Sequence, residues 1–293
     1  MQMTKIAIVA PSGTIGDEYL EKGVSVLKSL NFDVTLMPHV GKEPCGVFSA
    51  CDKERAEDLY MALTQPGIDI VLCTRGGYGA VRTLQLLPED IFSHIDDRLI
   101  VGFSDITAIH SKSTISGRKS VHGPMLKHIA THAIDAPDMK TLLDILDGKG
   151  ISITLEENPL NRLGVAEGTL VGGNLSILYS LRGTPADVLA NPEGKILFIE
   201  DLAEYNYHID RMMQNLRYSG VLDKIAGLIV GQFIDIKEGR TPFGASVYEV
   251  IRGAMEGTTC PILFGYPAGH EDDMNYPLCL GGKCRIEGLT ITN

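Results

Sequence analysis

The chain has 293 residues, 44% hydrophobic and 22% charged, enough for one large α/β domain or two ordinary ones with real cores. A net charge of −11 argues against nucleic acid or an anionic membrane as partner, and is read most simply as solubility. No stretch approaches a membrane span, and the six cysteines form no CxxC pair, so reduced thiols in a cytoplasmic protein are expected.

The first segment, "KIAIVA" at 5–10, reads as a strand rather than the apolar core of a signal peptide. A turn "PSGTIG" and a helix to about residue 30 follow, then a strand "DVTLM" and a helix over 52–65 opening on an Asp cap. "IDIVLCT" at 68–74 is a continuous apolar run, as expected of a strand covered on both faces. A glycine turn, the helix "AVRTLQLL" and a strand ending at Gly102 complete the alternation. Strand–helix alternation predicts a parallel, doubly wound sheet, whose sites form at the carboxyl ends of strands.

The polar stretch 151–168 is expected to be a linker between an N-terminal domain, 1–150, and a C-terminal one, 169–293. In the second half, "TLVGGNLSILYSL" reads as a turn entering a helix, and "KILFIED" at 195–201 as a strand ending in two acids. Ile209, Met212, Met213 and Leu216 follow helical spacing, and Gly220 stops that helix. "IAGLIVGQF" is another buried strand; a strand, a long loop and a closing β-ribbon end the chain.

Chemistry is expected at four of these strand ends. In "RLIVGFSDITAIH", Gly102 permits a sharp bend and Asp105 suits the N-cap of the helix that follows. Ser104 reads in two ways: as turn and capping chemistry, or as a nucleophile facing a helix N-terminus that suits an oxyanion. "GFSDI" lacks the last glycine of G-x-S-x-G. "CTRGGYGAVR" at 73–82 completes no phosphate-loop pattern; an exposed amide of this turn suits an oxyanion hole beside Ser104. Arg75 is either a surface ion pair or a fork for a substrate carboxylate. Glu200, Asp201 and Glu204 offer either helix caps or an acid that orients a histidine. His208 reads as a surface or boundary histidine, whereas His270 lies in a loop after a strand, where a general base sits well. Consecutive Glu271, Asp272 and Asp273 cannot all converge with His270 on one ion, so no metal is expected. His110, His122 and His128 are nearer Ser104 in sequence and are expected in helix or loop positions around it.

Together these segments resemble the serine LD-carboxypeptidases, the muramoyltetrapeptide carboxypeptidase family. The resemblance runs in order through "IAIVAPSG", "TRGGYGAVRTL", "VGFSDITAIH", "VHGPM", "GTLVGGNLSIL", "IEDLAEYNYHIDRMMQNLRYSG", "GLIVGQF", "PILFGYPAGH" and "NYPLCLGG", nearly the whole chain. It implies a Rossmann-like N-terminal domain, a smaller α/β C-terminal domain and a triad split between them. Residue by residue, it implies Ser104 as nucleophile, Glu200 as the acid that orients the base, and His270 as the base. It further implies an oxyanion hole from the backbone N–H groups of Gly77 and Asp105, with Arg75 a candidate for the carboxylate of a terminal D-alanine. No cofactor is expected.

The implied reaction removes that D-alanine from a murein tetrapeptide through an acyl-enzyme, in cytoplasmic cell-wall recycling, by a homodimer. Two features depart from relatives: the acidic "HEDDMNYP" after the histidine, and the absence of tryptophan. Related microcin C immunity peptidases hold a nucleotide on a stacking aromatic, so the lack of Trp favours the muropeptide reading. The alternatives are the same triad acting on a peptidyl-nucleotide antibiotic, and a non-catalytic ligand-binding protein.

Overall fold

The computed structural model describes residues 3–95, 98–271 and 274–293, folded around two sheets. The first takes β1 (Lys5–Val9), β2 (Asp33–Leu36), β3 (Ile70–Cys73), β4 (Leu99–Gly102) and β5 (Ser120–His122), all parallel, in the order 2-1-3-4-5. β3 is buried along its whole length, which explains its unbroken apolar run. The strand order reverses between β1 and β3, and the crevice outside their carboxyl ends is where doubly wound sheets bind ligands. Helices α1 (Asp17–Ser29), α2 (Asp52–Thr64), α3 (Ala80–Leu84), α4 (Thr107–Ile115), α5 (Leu126–Thr131) and α6 (Pro137–Leu146) connect and cover this sheet.

The second sheet holds β6 (Ser152–Thr154), β7 (Val165–Asn174), β8 (Lys195–Leu202), β9 (Gly227–Ile234) and β10 (Ile262–Phe264). β7 to β10 are parallel neighbours in sequence order. The C-terminal strands β12 (Lys283–Glu287) and β13 (Thr290–Thr292) run antiparallel between β7 and β6. α7 (Leu175–Ser180), α8 (Asn206–Tyr218) and α9 (Val247–Ala254) lie between its strands in sequence. Ile209, Met212, Met213 and Leu216 of α8 are all buried, as their spacing requires.

Four elements differ from the sequence reading. The stretch 151–168, expected as a linker, carries β6 and the start of β7. "TLVGGN" is strand, not turn, because Gly172 and Gly173 hold φ of 140° and 129° within it. β11 (Leu278–Leu280), late in the chain, pairs antiparallel with β5 and so belongs to the first sheet. The N-cap of α2 is Cys51, in a capping box with Glu54, while Asp52 pairs with Arg55 and Arg82.

Candidate active site

At the end of β4, Phe103 is extended and Ser104 turns into the left-handed region at φ 63°, opening a 3₁₀ turn over Ser104–Ile106 that runs into α4. For a residue with a side chain this conformation costs about 1–2 kcal/mol, and such strain collects at functional sites. The bend therefore falls on the serine itself. Gly102 serves packing instead: a Cβ there would lie 3.0 Å from both γ-carbons of Ile106. Gly76 abuts the serine, since a Cβ on it would lie 2.9 Å from Ser104 Cβ.

His270 arrives from the second half of the chain, in the loop after β10. Gly269, at φ 149°, donates its N–H to Asn275 Oδ1 at 3.2 Å, and Glu271 N donates to Gln232 Oε1 at 3.0 Å. Held on both sides, the imidazole sets Nε2 3.0 Å from Ser104 Oγ and Nδ1 2.8 Å from Glu200 Oε2. With Nδ1–H donating to the carboxylate, Nε2 is left to accept the serine proton. Burial lowers the pKa of His270, but the charge and hydrogen bond of Glu200, with the charge of Asp201, outweigh it and leave the pKa raised.

Glu200 is fully buried at the carboxyl end of β8, and its Oε1 has no partner among the described residues. Asp201, next along the strand, serves another purpose: it accepts from Asn174 Nδ2 at 2.9 Å and from Ser176 N at 2.8 Å, at the start of α7. Burial first, then the charge of Glu200, push its pKa up to about 7. Glu204 reaches His208 Nδ1 at 2.7 Å, so that pair is separate from the Ser104–His270–Glu200 chain.

His110 on α4 and His128 on α5 lie in helices near the serine, while His122 is on strand β5 instead of a helix or loop, and all three are buried neutral groups. Burial lowers the pKa of His110 to about 4 and, with charges nearby, that of His128 to about 3; His122 is also held well below its usual value. His110 Nε2 donates to Gly102 O at 2.8 Å, and the Phe103 ring stands between His122, His128 and His270, with centroids 5.7, 5.0 and 5.0 Å away.

Asp105 does not cap α4, contrary to the sequence reading. Its Oδ2 accepts from Ser12 Oγ at 2.5 Å and from Ala80 N, at the start of α3, at 2.8 Å. Neither the Gly77 nor the Asp105 backbone N–H has a protein acceptor among the described residues. Arg75, half-buried, donates from Nη1 to Thr14 O at 3.2 Å. Asp272 and Asp273, weighed as metal ligands from sequence, lie outside the described residues. Sequence reasoning missed Ser12, Gln232 and Asn275; the only signal was that "PSG" follows a strand end.

Such a serine–imidazole–carboxylate chain, beside free N–H donors, suits acyl transfer. Family models match two stretches: residues 6–123 match an LD-carboxypeptidase N-terminal domain and 167–286 an LD-carboxypeptidase C-terminal domain. A putative carboxypeptidase of Streptomyces coelicolor is 35% identical, covering 98% of this chain and 92% of its own. The solved muramoyltetrapeptide carboxypeptidase from Oxalobacter formigenes superposes with a TM-score of 0.87 at 30% identity, over 99% of this chain and 97% of that one. A microcin C7 self-immunity protein, 22% identical, shares the fold with a TM-score of 0.85, over 100% of this chain and 96% of that one.

Proposed function

Because the chain belongs to the LD-carboxypeptidase family and is a serine-type peptidase, we propose that it removes the terminal D-alanine from murein tetrapeptides. The observation that carries the reading is the unbroken hydrogen-bond chain Ser104–His270–Glu200. The substrate name borne by the Oxalobacter formigenes protein supports the choice of murein.

In this reading His270 Nε2 takes the Ser104 proton as Oγ attacks the carbonyl carbon before D-alanine. The oxyanion is met by the free N–H groups of Gly77 and Asp105. His270 returns the proton to the departing amine, and D-alanine leaves with its carboxylate free. Water, deprotonated by His270, then opens the acyl-enzyme and releases the tripeptide. Glu200 keeps Nδ1 protonated and stabilises the imidazolium. Arg75 offers a planar fork for the D-alanine carboxylate. The reading carries with it a cytoplasmic setting and a homodimer, the latter checked by sedimentation.

The test is D-alanine release from a disaccharide-tetrapeptide. Release is expected from the wild type and none from Ser104→Ala; wild-type turnover by that variant overturns the reading. A peptidyl-nucleotide competed in the same assay decides the substrate: a higher kcat/KM for the nucleotide moves the reading to that class.

A further inference from the structure

The turn after β1, Pro11-Ser12-Gly13, has no part in the chemistry above, yet it touches both flanks of the nucleophile. Gly13 N–H donates to Gly76 O at 3.1 Å. The C=O and N–H of a trans peptide point in opposite directions, so anchoring Gly76 O turns the Gly77 N–H away from Gly13. A Cβ on Gly13 would lie 2.9 Å from Gly76 O, so the contact needs glycine. Ser12, fully buried, donates its hydroxyl to Asp105 Oδ2, and that same oxygen receives the Ala80 N–H, three residues beyond Gly77. Arg55, 1% exposed, ties the outer edge: Nη1 donates to Pro11 O at 2.8 Å and to Gly79 O at 3.0 Å, and Nε to Ala50 O at 3.2 Å.

We propose that the Asp105 carboxylate, held by Ser12, is the positioning residue of the oxyanion hole, fixing the spacing between the Gly77 and Asp105 N–H donors. One residue then supplies a donor from its backbone and sets the other through its side chain. The two donors belong to loops after β3 and β4; Gly76 abuts Ser104 by packing, but among the described residues no hydrogen bond joins Gly77 to Asp105 across the gap between the loops. A buried oxygen that accepts from the start of α3 closes that gap at one point. Oδ1 has no partner among the described residues, so the acceptor work rests on Oδ2 alone. An amide at this position keeps one such acceptor, which makes Asp105→Asn the conservative variant.

This inference rests on the proposed serine mechanism, and Ser104→Ala tests that separately: if Ser104→Ala turns over normally, the mechanism itself falls. With Ser104 required, Asp105→Ala is expected to lower kcat about 100-fold, toward the loss seen when an oxyanion donor is removed, with KM within about threefold. A boronic-acid analogue of the acyl half forms a tetrahedral adduct on serine, and its affinity is expected to fall by a similar factor. Asp105→Asn should stay within about fivefold of wild type in both readouts, and Ser12→Ala should lose about tenfold. Acting through one oxygen, the Ser12→Ala/Asp105→Ala pair should be no worse than Asp105→Ala alone.

A folded Asp105→Ala with kcat within about threefold of wild type overturns the proposal. So does a fall in kcat with boronate affinity unchanged, which is what a merely structural role predicts. Should Asp105→Ala fail to fold, Ser12→Ala decides: wild-type boronate affinity in that variant overturns the proposal, and a parallel loss of affinity and kcat upholds it.

Discussion

Glu200→Gln is the most direct probe of the hydrogen-bond chain. The carboxylate is fully buried, its Oε2 2.8 Å from His270 Nδ1, so the amide substitution changes charge and hydrogen-bond sense with little change in volume. An amide that donates to Nδ1 leaves the proton on Nε2, where it faces Ser104 and cannot accept. A wrong tautomer of this kind costs about 10⁴ in kcat in the well-studied serine triads. At 1.36 kcal/mol per decade that is about 5 kcal/mol of lost transition-state stabilisation. The pH profile adds an independent readout. In the wild type, burial lowers the pKa of His270 but Glu200 raises it further, for a net rise. Without the negative charge burial dominates, so the acidic limb of kcat/KM should move to lower pH while the plateau falls. D-alanine release from tetrapeptide between pH 4 and 9 measures both. A plateau within tenfold of wild type, or an acidic limb that stays put, refutes the assignment of Glu200 as the group that fixes the tautomer.

Ser104→Gly should be more stable than Ser104→Ala by about 1 kcal/mol in urea unfolding, because both lose the hydroxyl but only glycine relieves φ 63°. Equal stability of the two variants would remove the strain argument. His110 is neutral in the fold with a pKa of about 4, against 6.5 when unfolded, so the unfolded chain binds more protons between those values. Stability therefore falls as pH drops through that window, by about 3 kcal/mol from this group. His110→Gln keeps a donor for Gly102 O and removes the titration. The wild-type profile should steepen relative to that variant between pH 6.5 and 4, and parallel profiles would contradict the account.

The elements legible in the sequence were those whose signal is local. β3 and β9 are apolar runs because both their faces are covered, and α8 shows its buried stripe at helical spacing. The proposed triad came from the family resemblance; spacing alone leaves Ser104 between cap and nucleophile. What escaped depends on partners distant in sequence. Gly172 sits in β7 because a Cβ there would lie 1.9 Å from Phe198 O, a contact with the next strand that no window of sequence contains. β11 is three residues long and joins a sheet laid down more than 150 residues earlier. Asp105 looked like a cap for its own helix, and it caps one 25 residues upstream. Gly102 pointed to a bend, yet the left-handed residue is the serine, two places on.

The meeting of Ser104 and His270 spans two sheets, so something must hold the carboxyl ends of β4 and β8 at a fixed separation. Thr107, on the first turn of α4, is the nearest candidate on the nucleophile side. Its Oγ1 accepts from Asn174 N at 3.0 Å, and a Cβ on Gly173 would lie 2.4 Å from that same oxygen. From Asn174, Nδ2 reaches Asp201 Oδ1 at 2.9 Å, and Asp201 is the neighbour of Glu200 on β8. The register of β8 with β9 shifts between Ile199 and Asp201, and there the two acids part, Glu200 to the imidazole and Asp201 to the start of α7. The path Thr107–Asn174–Asp201 thus accompanies the path Ser104–His270–Glu200, joining the same two strand ends. Two routes between the same supports make a rigid frame, in which a 3.0 Å contact between Ser104 and His270 is set by backbone placement rather than by the reach of either side chain.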